Sequence, residues 1–183
     1  TANMLLTYSV TWFEPLKIAY SVGVDGISVV MILLSAIIVF TGTFASWQLK
    51  PLTKEYFLWF VLLSIGVFGF FISTDMFTMF MFYEVALIPM YLLIGVWGTG
   101  PKEYSAMKLT LMLMGGSALL ILGILGIYFF SGAQTMNVAD LAQLHAMPKS
   151  IQNIFFPFVF IGFGVLGALF PFHTWSPDGY ASA

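Results

Sequence analysis

One acidic residue, Glu84, lies near the centre of a long apolar segment, FMFYEVALIPMYLLIG, with no basic residue close to it in the sequence. An acid at the centre of a membrane-spanning helix costs about 2.5–3.5 kcal/mol, so proteins seldom keep one unless it faces other protein or water. Burial favours the neutral carboxyl group and a nearby cation favours the carboxylate, so the protonation of Glu84 could be switched, as a proton relay requires. The alternative is a structural acid that joins two helices by a hydrogen bond or an ion pair.

Two further ionisable residues could help to move protons. Lys108 begins the fourth apolar segment. A lysine there can extend its ammonium group to the membrane surface, or it can stay buried with a charge that its surroundings control, and both alternatives remain open. His173 follows a predicted helix break, and its imidazole can donate, accept or carry a proton near neutral pH.

Proline and glycine residues predict interruptions in two of the helices. Pro89 lies five residues after Glu84 and removes a backbone hydrogen bond, which either leaves a polar group beside the carboxyl group or produces an ordinary packing kink. In the fifth segment Gly164, Gly167 and Pro171 predict a helix broken at membrane depth. Such a break is tolerated only where protein or a water-filled cavity surrounds it, and transporters build ion sites from it. The alternative is a helix end with a polar exit loop.

The segments that carry these residues have the composition of a membrane protein. Of the 183 residues, 60% are hydrophobic and 8% are charged, whereas soluble domains carry about a quarter charged residues; the mean hydropathy is +0.98. Six lysines and a net charge of −2 leave no basic patch for nucleic acid. The absence of cysteine excludes thiolate-ligated iron–sulfur clusters, cysteine zinc sites and disulfides. We therefore expect an integral membrane protein in which no residue of this chain binds a metal or a cofactor.

Five apolar segments predict an all-α bundle of transmembrane helices. A helix needs about 20 apolar residues to cross a membrane, and the segments cover about residues 26–47, 56–73, 76–97, 106–130 and 151–172. Residues 1–25 are expected to form an extramembrane lead-in, and the transmembrane domain is expected to cover residues 26–178. Because the sequence begins without methionine and stops abruptly, we expect a fragment of a longer chain.

The distribution of lysines predicts the orientation of the bundle. The lysines in the joints on one side are Lys50, Lys54 and Lys102, and those on the other side are Lys17 and Lys149. Cytoplasmic loops carry an excess of lysine, which makes the first side the cytoplasmic one. The N-terminal stretch and the loop that contains Asp140 and His145 are then outside, and a short amphipathic helix is expected between about residues 136 and 149.

Four segments of the sequence are distinctive in combination. They are GVDGIS (23–28), FYEVALIPMYLLIGVWG (82–98), KLTLMLMGGS (108–117) and FPFHTWSPDG (170–179). Together they resemble the antiporter-like membrane subunits of respiratory complex I, with the greatest resemblance to subunit M, the counterpart of mitochondrial subunit 4. The resemblance extends over nearly the whole chain. It implies a fold of fourteen helices with two inverted repeats, of which this chain would form helices three to seven, with a broken helix seven.

The resemblance also implies a function, that of a proton-translocating subunit of an NADH:quinone oxidoreductase in the inner (plasma) membrane. NADH, FMN, iron–sulfur clusters and quinone are then expected in other subunits, and the expected partners are other membrane and peripheral subunits and the lipid bilayer. Glu84 matches the essential glutamate of helix five in the family. Lys108 matches a lysine at the start of helix six, and His173 falls in the broken helix seven.

The sequence departs from the family pattern in the fifth span. The helix-seven lysine of the family falls at Leu166, and the proline that follows it falls at Ala168. The cation expected beside Glu84 is therefore replaced by Lys108, by His173, by water or by a residue outside this piece, or proton transfer is altered. Two other functions stay open, namely a subunit of a multi-chain Na⁺/H⁺ antiporter or membrane-bound hydrogenase, and a scaffold subunit that no longer pumps.

Overall fold

A short β-hairpin precedes a bundle of helices in the computed structural model, which describes residues 4–130, 132, 135–143 and 147–183. The strands are β1 (Leu5–Phe13) and β2 (Ile18–Val24). The helices are α1 (Gly26–Ala45), α2 (Thr53–Ile72), α3 (Met76–Leu92), α4 (Lys102–Phe130), α5 (Val138–Gln143), α6 (Lys149–Leu166) and α7 (Trp175–Ser182). Short 3-10 segments cover Glu14–Leu16 and Phe172–Thr174, and α3 continues as a π-helix over Leu93–Trp97.

Five of the helices are long and apolar enough to cross a membrane: α1, α2, α3 together with its π-helical extension, α4 and α6. Large apolar side chains remain exposed along them, as on α1, where Leu33, Ile37 and Phe40 are more than half exposed. Because a helix that is apolar all round suits a lipid or protein environment, this distribution confirms the predicted helical membrane bundle.

The lead-in forms an antiparallel hairpin that the sequence analysis did not predict. Residues 5–13 are rich in β-branched and aromatic residues, which suit a strand. The outer strand β1 is exposed along its whole length, whereas Ile18 and Ser21 of β2 are buried against the helices. The hydroxyl oxygens of Ser9 and Ser21 lie 2.6 Å apart and join the two strands.

Backbone hydrogen bonds gather the hairpin and two loops at one end of the bundle. The N–H of Thr74, between α2 and α3, donates to the carbonyl of Ser21 at 3.0 Å, and the carbonyl of Thr74 accepts from Val138 at 3.0 Å. The hydroxyl of Thr78 donates to the carbonyl of Ala19 at 3.0 Å. The lead-in and the segment around α5 therefore lie at the same end of the bundle, in line with the orientation predicted from the lysines. Within the loop predicted to carry a short helix, Leu144 and His145 lie outside the described residues.

Asp75 holds the start of α3 at this end. Its Oδ1 accepts hydrogen bonds from the backbone N–H groups of Phe77 and Thr78, both at 3.0 Å, and thereby caps the helix. The side chain is only 2% exposed, and burial raises the pKa of the Asp75 carboxyl, while the hydrogen bonds from Thr78 and Phe77 lower it in part. Because the pKa of Asp75 is higher in the folded protein than in the unfolded chain, the contribution of Asp75 to the free energy of unfolding falls as the pH rises through the folded-state pKa.

The opposite end of the bundle is closed by contacts between the remaining joints. The indole Nε1 of Trp97 donates to the carbonyl of Pro51 at 2.9 Å, and the N–H of Thr99 donates to the carbonyl of Ser182 at 2.7 Å. These contacts bring together the loops that carry Lys50 and Lys102. The assignment of this end to the cytoplasm stays a prediction.

Glycines set the close contact between α4 and α6. A Cβ atom on Gly162 would lie 3.0 Å from the carbonyl oxygen of Gly116 and 2.8 Å from the Cβ of Leu120. On the other helix, a Cβ atom on Gly123 would lie 2.5 Å from a methyl group of Val159. Small residues at a helix interface let the backbones approach closely in a membrane, so these positions fix how deeply α6 packs against α4.

The fifth span is interrupted after Leu166. The N–H of Leu169 donates to the carbonyl of Gly164 at 2.8 Å, and the N–H of Ala168 donates to that of Val165 at 3.2 Å. With Ala168 at φ 51°, these bonds form a Schellman motif, which ends a helix with a left-handed residue. Gly164 lies in the last turn of α6, and its carbonyl accepts one of the two hydrogen bonds of the motif. The helix is therefore not broken at Gly164 but continues to Leu166. The span predicted to reach residue 172 therefore ends earlier.

The residue at position 168 is consistent with this helix end. A proline, which the resemblance places there, has φ fixed near −65° and could not adopt φ 51°. Alanine can adopt it, although a left-handed conformation costs about 1–2 kcal/mol for a residue with a Cβ atom. The departure from the family pattern at Ala168 thus agrees with the observed backbone.

We expect Ala168→Gly to stabilise the protein by up to about 1 kcal/mol, because glycine adopts a left-handed conformation without steric cost but loses more freedom on folding. The measurement is the apparent melting temperature of the purified full-length protein. Ala118→Gly is the matched control, since Ala118 is exposed in the interior of α4 and the same change there should destabilise by about 0.5–1 kcal/mol. Equal losses in both variants would contradict the proposed strain at Ala168.

Candidate functional site

Glu84 lies on α3 eight residues after its start, about 12 Å along the helix axis. Glu84 is one of the residues that line a cleft of about 380 Å³ between α3 and α4. The cleft is lined mainly by apolar side chains, with Tyr91 of α3 and Thr110 of α4 as the other polar residues. An acid in the middle of a span and beside a cleft is in the environment that the sequence analysis expected for a functional carboxyl group.

Two buried polar side-chain atoms have no hydrogen-bond partner within the part of the chain that the structure describes: Oε1 of Glu84 and Oγ1 of Thr110. Both residues line the same cleft. Thr110 was missed by the sequence analysis, because a threonine in an apolar helix ordinarily bonds to its own backbone and carries no signal of function. Its lack of such a bond becomes visible only in the structure.

The height of Glu84 relative to α4 is set by its neighbour Tyr83. The Tyr83 side chain is buried, and its hydroxyl donates to the carbonyl of Leu113 on α4 at 3.1 Å. This bond joins the two helices one residue away from Glu84. It places the carboxyl group level with the turn of α4 that contains Thr110 and Met114, both of which line the cleft.

The chain is not interrupted at Pro89. The residue is buried inside α3, which continues to Leu92 and passes directly into the π-helical segment Leu93–Trp97. The predicted break is therefore absent, since the buried Pro89 is accommodated inside the helix, and the helical winding changes four residues later instead. A π-helical turn within an α-helix is a frequent feature of functional sites.

Lys108 forms an ion pair with Asp178, a residue that the sequence analysis did not single out. Its Nζ lies 2.6 Å from Oδ2 of Asp178, and the two side chains are 25% and 41% exposed. The ammonium group also lies 5.7 Å from the centre of the Tyr104 ring. This pair is the only salt bridge among the residues that the structure describes. Because α4 begins at Lys102, Lys108 lies about 9 Å inside the helix and not at its start.

The structure does not bring Glu84 and Lys108 together. Thr110 follows Lys108 by two positions, so the two side chains point in nearly opposite directions, about 160° apart, around α4, and Thr110 is the one that lines the cleft of Glu84. A direct Glu84–Lys108 relay contact is thus not formed, because the two side chains lie on different sides of α4.

His173 lies in the 3-10 segment that follows the helix break, and its side chain is exposed. Its ring centre lies 5.7 Å from that of Phe170. Pro171 precedes this segment as its cap residue. The structure therefore places His173 beside the break, as expected, but not in contact with the cleft of Glu84.

The interrupted chain folds back onto α4. The indole Nε1 of the buried Trp175 donates to the carbonyl of Val165 at 3.0 Å, which supplies a partner for a carbonyl at the end of α6. The hydroxyl of Ser182 donates to that of Ser105 at 2.8 Å. These bonds, together with the ion pair of Asp178, hold α7 against the first two turns of α4.

Leu166, at the position of the family's lysine, belongs to an apolar part of the interior. It packs against a buried cluster that includes Leu87 and Leu113. It also lines a cavity of about 300 Å³ with Tyr83 and Trp175, and Glu84 is not among the residues that line this cavity. An apolar side chain thus stands where the cation was expected. Leu166 lines the cavity beside Tyr83 and does not line the cleft of Glu84.

Comparisons with known proteins agree with this architecture. In Synechocystis sp., NAD(P)H-quinone oxidoreductase chain 4-2 is 32% identical over 173 residues, which cover 94% of this chain and 31% of the relative. NADH-quinone oxidoreductase subunit M of Rickettsia bellii is 31% identical over 175 residues, covering 94% and 35%. The chain therefore spans about a third of the length of these relatives.

A solved structure shows the same fold. A chain of respiratory complex I from Thermus thermophilus with bound NADH matches 97% of this chain and 37% of its own length, with a TM-score of 0.88 at 22% identity. Residues 73–183, which include the cleft, the ion pair and the helix break, match the family described as NADH:quinone oxidoreductase/Mrp antiporter, transmembrane. The chain belongs to this family of membrane proteins.

Proposed function

We propose that the chain is part of a proton-translocating membrane subunit of a complex-I-type NADH:quinone oxidoreductase. The observation that carries the proposal is the buried Oε1 of Glu84, which has no hydrogen-bond partner among the described residues although it lies in the middle of a span. A buried polar atom without a partner is costly. Its retention is consistent with a carboxyl group that gains and loses a proton during function.

Glu84 is the protonation switch in this proposal. Lys108, which Asp178 holds at 2.6 Å, and His173 are the relay or charge-modulating residues. Gly167 and Pro171 lie in the irregular backbone after α6, the carbonyl of Gly164 accepts a hydrogen bond from it, and Pro89 precedes the π-helical segment of α3. Irregular backbone inside a membrane protein is found where it lines a cavity or an ion path.

The redox chemistry takes place in other subunits. NADH, FMN, iron–sulfur clusters and quinone bind there, and electron transfer drives ion movement through this chain by conformational or electrostatic coupling. The complex lies in an energy-transducing membrane, the inner (plasma) membrane of the cell. Its lysine-rich side, which carries Lys50, Lys54 and Lys102, faces the cytoplasm.

A second candidate is a subunit of a multi-chain Na⁺/H⁺ antiporter. The family that matches residues 73–183 is described as both NADH:quinone oxidoreductase and Mrp antiporter. The two functions differ in what drives the ion. NADH oxidation drives proton uptake in the first, whereas an ion gradient drives exchange in the second.

We expect Glu84→Gln in the intact complex to lower NADH-driven proton uptake into membrane vesicles at least tenfold, because an amide is a neutral isostere that does not release a proton at neutral pH. NADH:quinone turnover should fall with it, since the two processes are coupled. The measurement records both rates on the same vesicles. Glu103→Gln is the matched control, because Glu103 is exposed at the start of α4, and it should leave both rates within about twofold.

Two results would contradict this expectation. Unchanged proton uptake in Glu84→Gln would make Glu84 a structural acid. Unchanged NADH turnover with loss of Na⁺/H⁺ exchange would favour the antiporter.

We expect Lys108→Met and Asp178→Asn each to lower proton uptake by about fivefold or less, because half-exposed ion pairs make modest contributions. The double variant should lose no more than the more affected single variant, since both changes remove the same pair. The measurement is the initial rate of NADH-driven uptake for the four proteins of this cycle. Additive losses would show that the two residues act independently of each other.

A further inference from the structure

The cleft of Glu84 contains a second polar atom whose arrangement is unusual for its position. Several helical serine and threonine hydroxyls elsewhere in the chain donate to the carbonyl four residues earlier, as Thr41, Thr43 and Ser64 do, each at 2.8 Å. This bond satisfies a hydroxyl in an apolar environment without any outside partner. The hydroxyl of Thr110 is buried and makes neither this bond nor any other within the described part of the chain.

The same cleft therefore has an unsatisfied oxygen on each of its two walls. Oε1 of Glu84 comes from α3 and Oγ1 of Thr110 comes from α4, and both are buried. The great majority of buried polar atoms in proteins have a partner, which is often an ordered water molecule. Leaving either atom unsatisfied costs about 1–3 kcal/mol, and because both residues line one cleft, a common ligand can serve both atoms.

Water has the chemistry and the size that this space requires. A carboxylate oxygen only accepts hydrogen bonds and a hydroxyl both donates and accepts, so a water molecule can donate to Glu84 and exchange a second bond with Thr110. A water molecule occupies about 30 Å³ of liquid volume, and the cleft measures about 380 Å³. Among the described residues that line the cleft, Glu84 is the only charged one.

We propose that Thr110 is a positioning residue that, together with Glu84, binds ordered water in this cleft, and that this water is the immediate proton partner of Glu84. The proposal rests on the proposed function of Glu84. When the carboxyl group is deprotonated, its O–H bond breaks, the proton passes to the oxygen of the water held by Thr110, and that water releases one of its own protons to a neighbouring water molecule. On reprotonation the water held by Thr110 donates a proton to the Glu84 carboxylate and accepts one from a neighbouring water molecule, so water is the only other reactant. Thr110 itself neither gains nor loses a proton in this step.

The position of Thr110 explains why a hydroxyl serves here and a charged group does not. Its side chain is on the side of α4 away from Lys108, whose charge is already held by Asp178. The water is thus fixed by a neutral group and keeps its freedom to donate or accept, whereas an ammonium group so close to Glu84 would favour the charged carboxylate.

The test uses the complete complex in membrane vesicles with Thr110→Val, which keeps the shape of the side chain and removes the hydroxyl. We expect proton uptake per assembled complex to fall about 3- to 10-fold, the range of one lost hydrogen bond. Thr110→Ser, which keeps the hydroxyl, should stay within about twofold of the wild type. Thr41→Val is the matched control, because the Thr41 hydroxyl bonds its own helix on an exposed face, and it should leave uptake unchanged.

Two further measurements separate the role of Thr110 from packing. Adding Thr110→Val to Glu84→Gln should cause no further loss, because the water would have no carboxyl group to serve. A high-resolution map of the complete complex should show water within hydrogen-bond distance of both Oε1 and Oγ1. If Thr110→Val does not assemble, Thr110→Ala, which also lacks the hydroxyl and leaves more space, takes its place.

The outcomes distinguish this proposal from the one it rests on. Loss of uptake in Glu84→Gln with normal uptake in Thr110→Val would overturn the role of Thr110 and leave that of Glu84. Equal losses in Thr110→Val and Thr110→Ser would show a packing effect and overturn the proposal, as would a protein side chain bonded to both oxygens in the map. Normal uptake in Glu84→Gln would overturn both.

Discussion

A polar atom inside a lipid membrane must find its hydrogen-bond partner within the protein or in bound water, because hydrocarbon offers none. Most features of this chain follow from that constraint. The Tyr83 hydroxyl bonds to the carbonyl of Leu113, and the Thr41 hydroxyl bonds to its own helix. Oε1 of Glu84 and Oγ1 of Thr110 are the exceptions in the described parts of the chain, and they share one cleft. These two unsatisfied atoms therefore identify the cleft as the candidate functional site.

The same constraint explains the helix break after α6. Ending a helix frees several carbonyl groups, and two devices supply hydrogen bonds to them here. The Schellman motif at Ala168 uses the carbonyls of Gly164 and Val165, and the indole of Trp175 donates a second bond to Val165. With these groups satisfied, the chain can turn back and hold Asp178 against Lys108 at 2.6 Å. The break thereby supplies the charged partner that the sequence did not place beside this lysine.

Composition and local patterns predict the features that depend on single segments. The spans follow from runs of apolar residues, and Glu84 is evident as an acid within one of them. Gly167 and Pro171 indicate where the fifth span is interrupted. Pro89 shows the limit of such patterns, because a proline that is buried on all sides can remain inside a continuous helix.

Features that depend on two segments could not be predicted in this way. The partner of Lys108 lies 70 residues away, after a helix break whose geometry sets where Asp178 points. The importance of Thr110 depends on the cleft that α3 and α4 form together, and the hairpin depends on its contacts with the loop around Thr74. Leu166 is accommodated because its neighbours form an apolar cluster, which the sequence of α6 alone does not reveal.

The central claim is that Glu84 changes its protonation while the complex turns over, and infrared difference spectroscopy on the complete complex tests it most directly. Spectra are recorded before and after NADH is added, for the wild type and for Glu84→Gln. A carboxyl band that changes on addition of NADH in the wild type and is missing in the variant is the predicted result. Identical carboxyl regions in the two difference spectra would show that Glu84 keeps one protonation state, and would contradict the account.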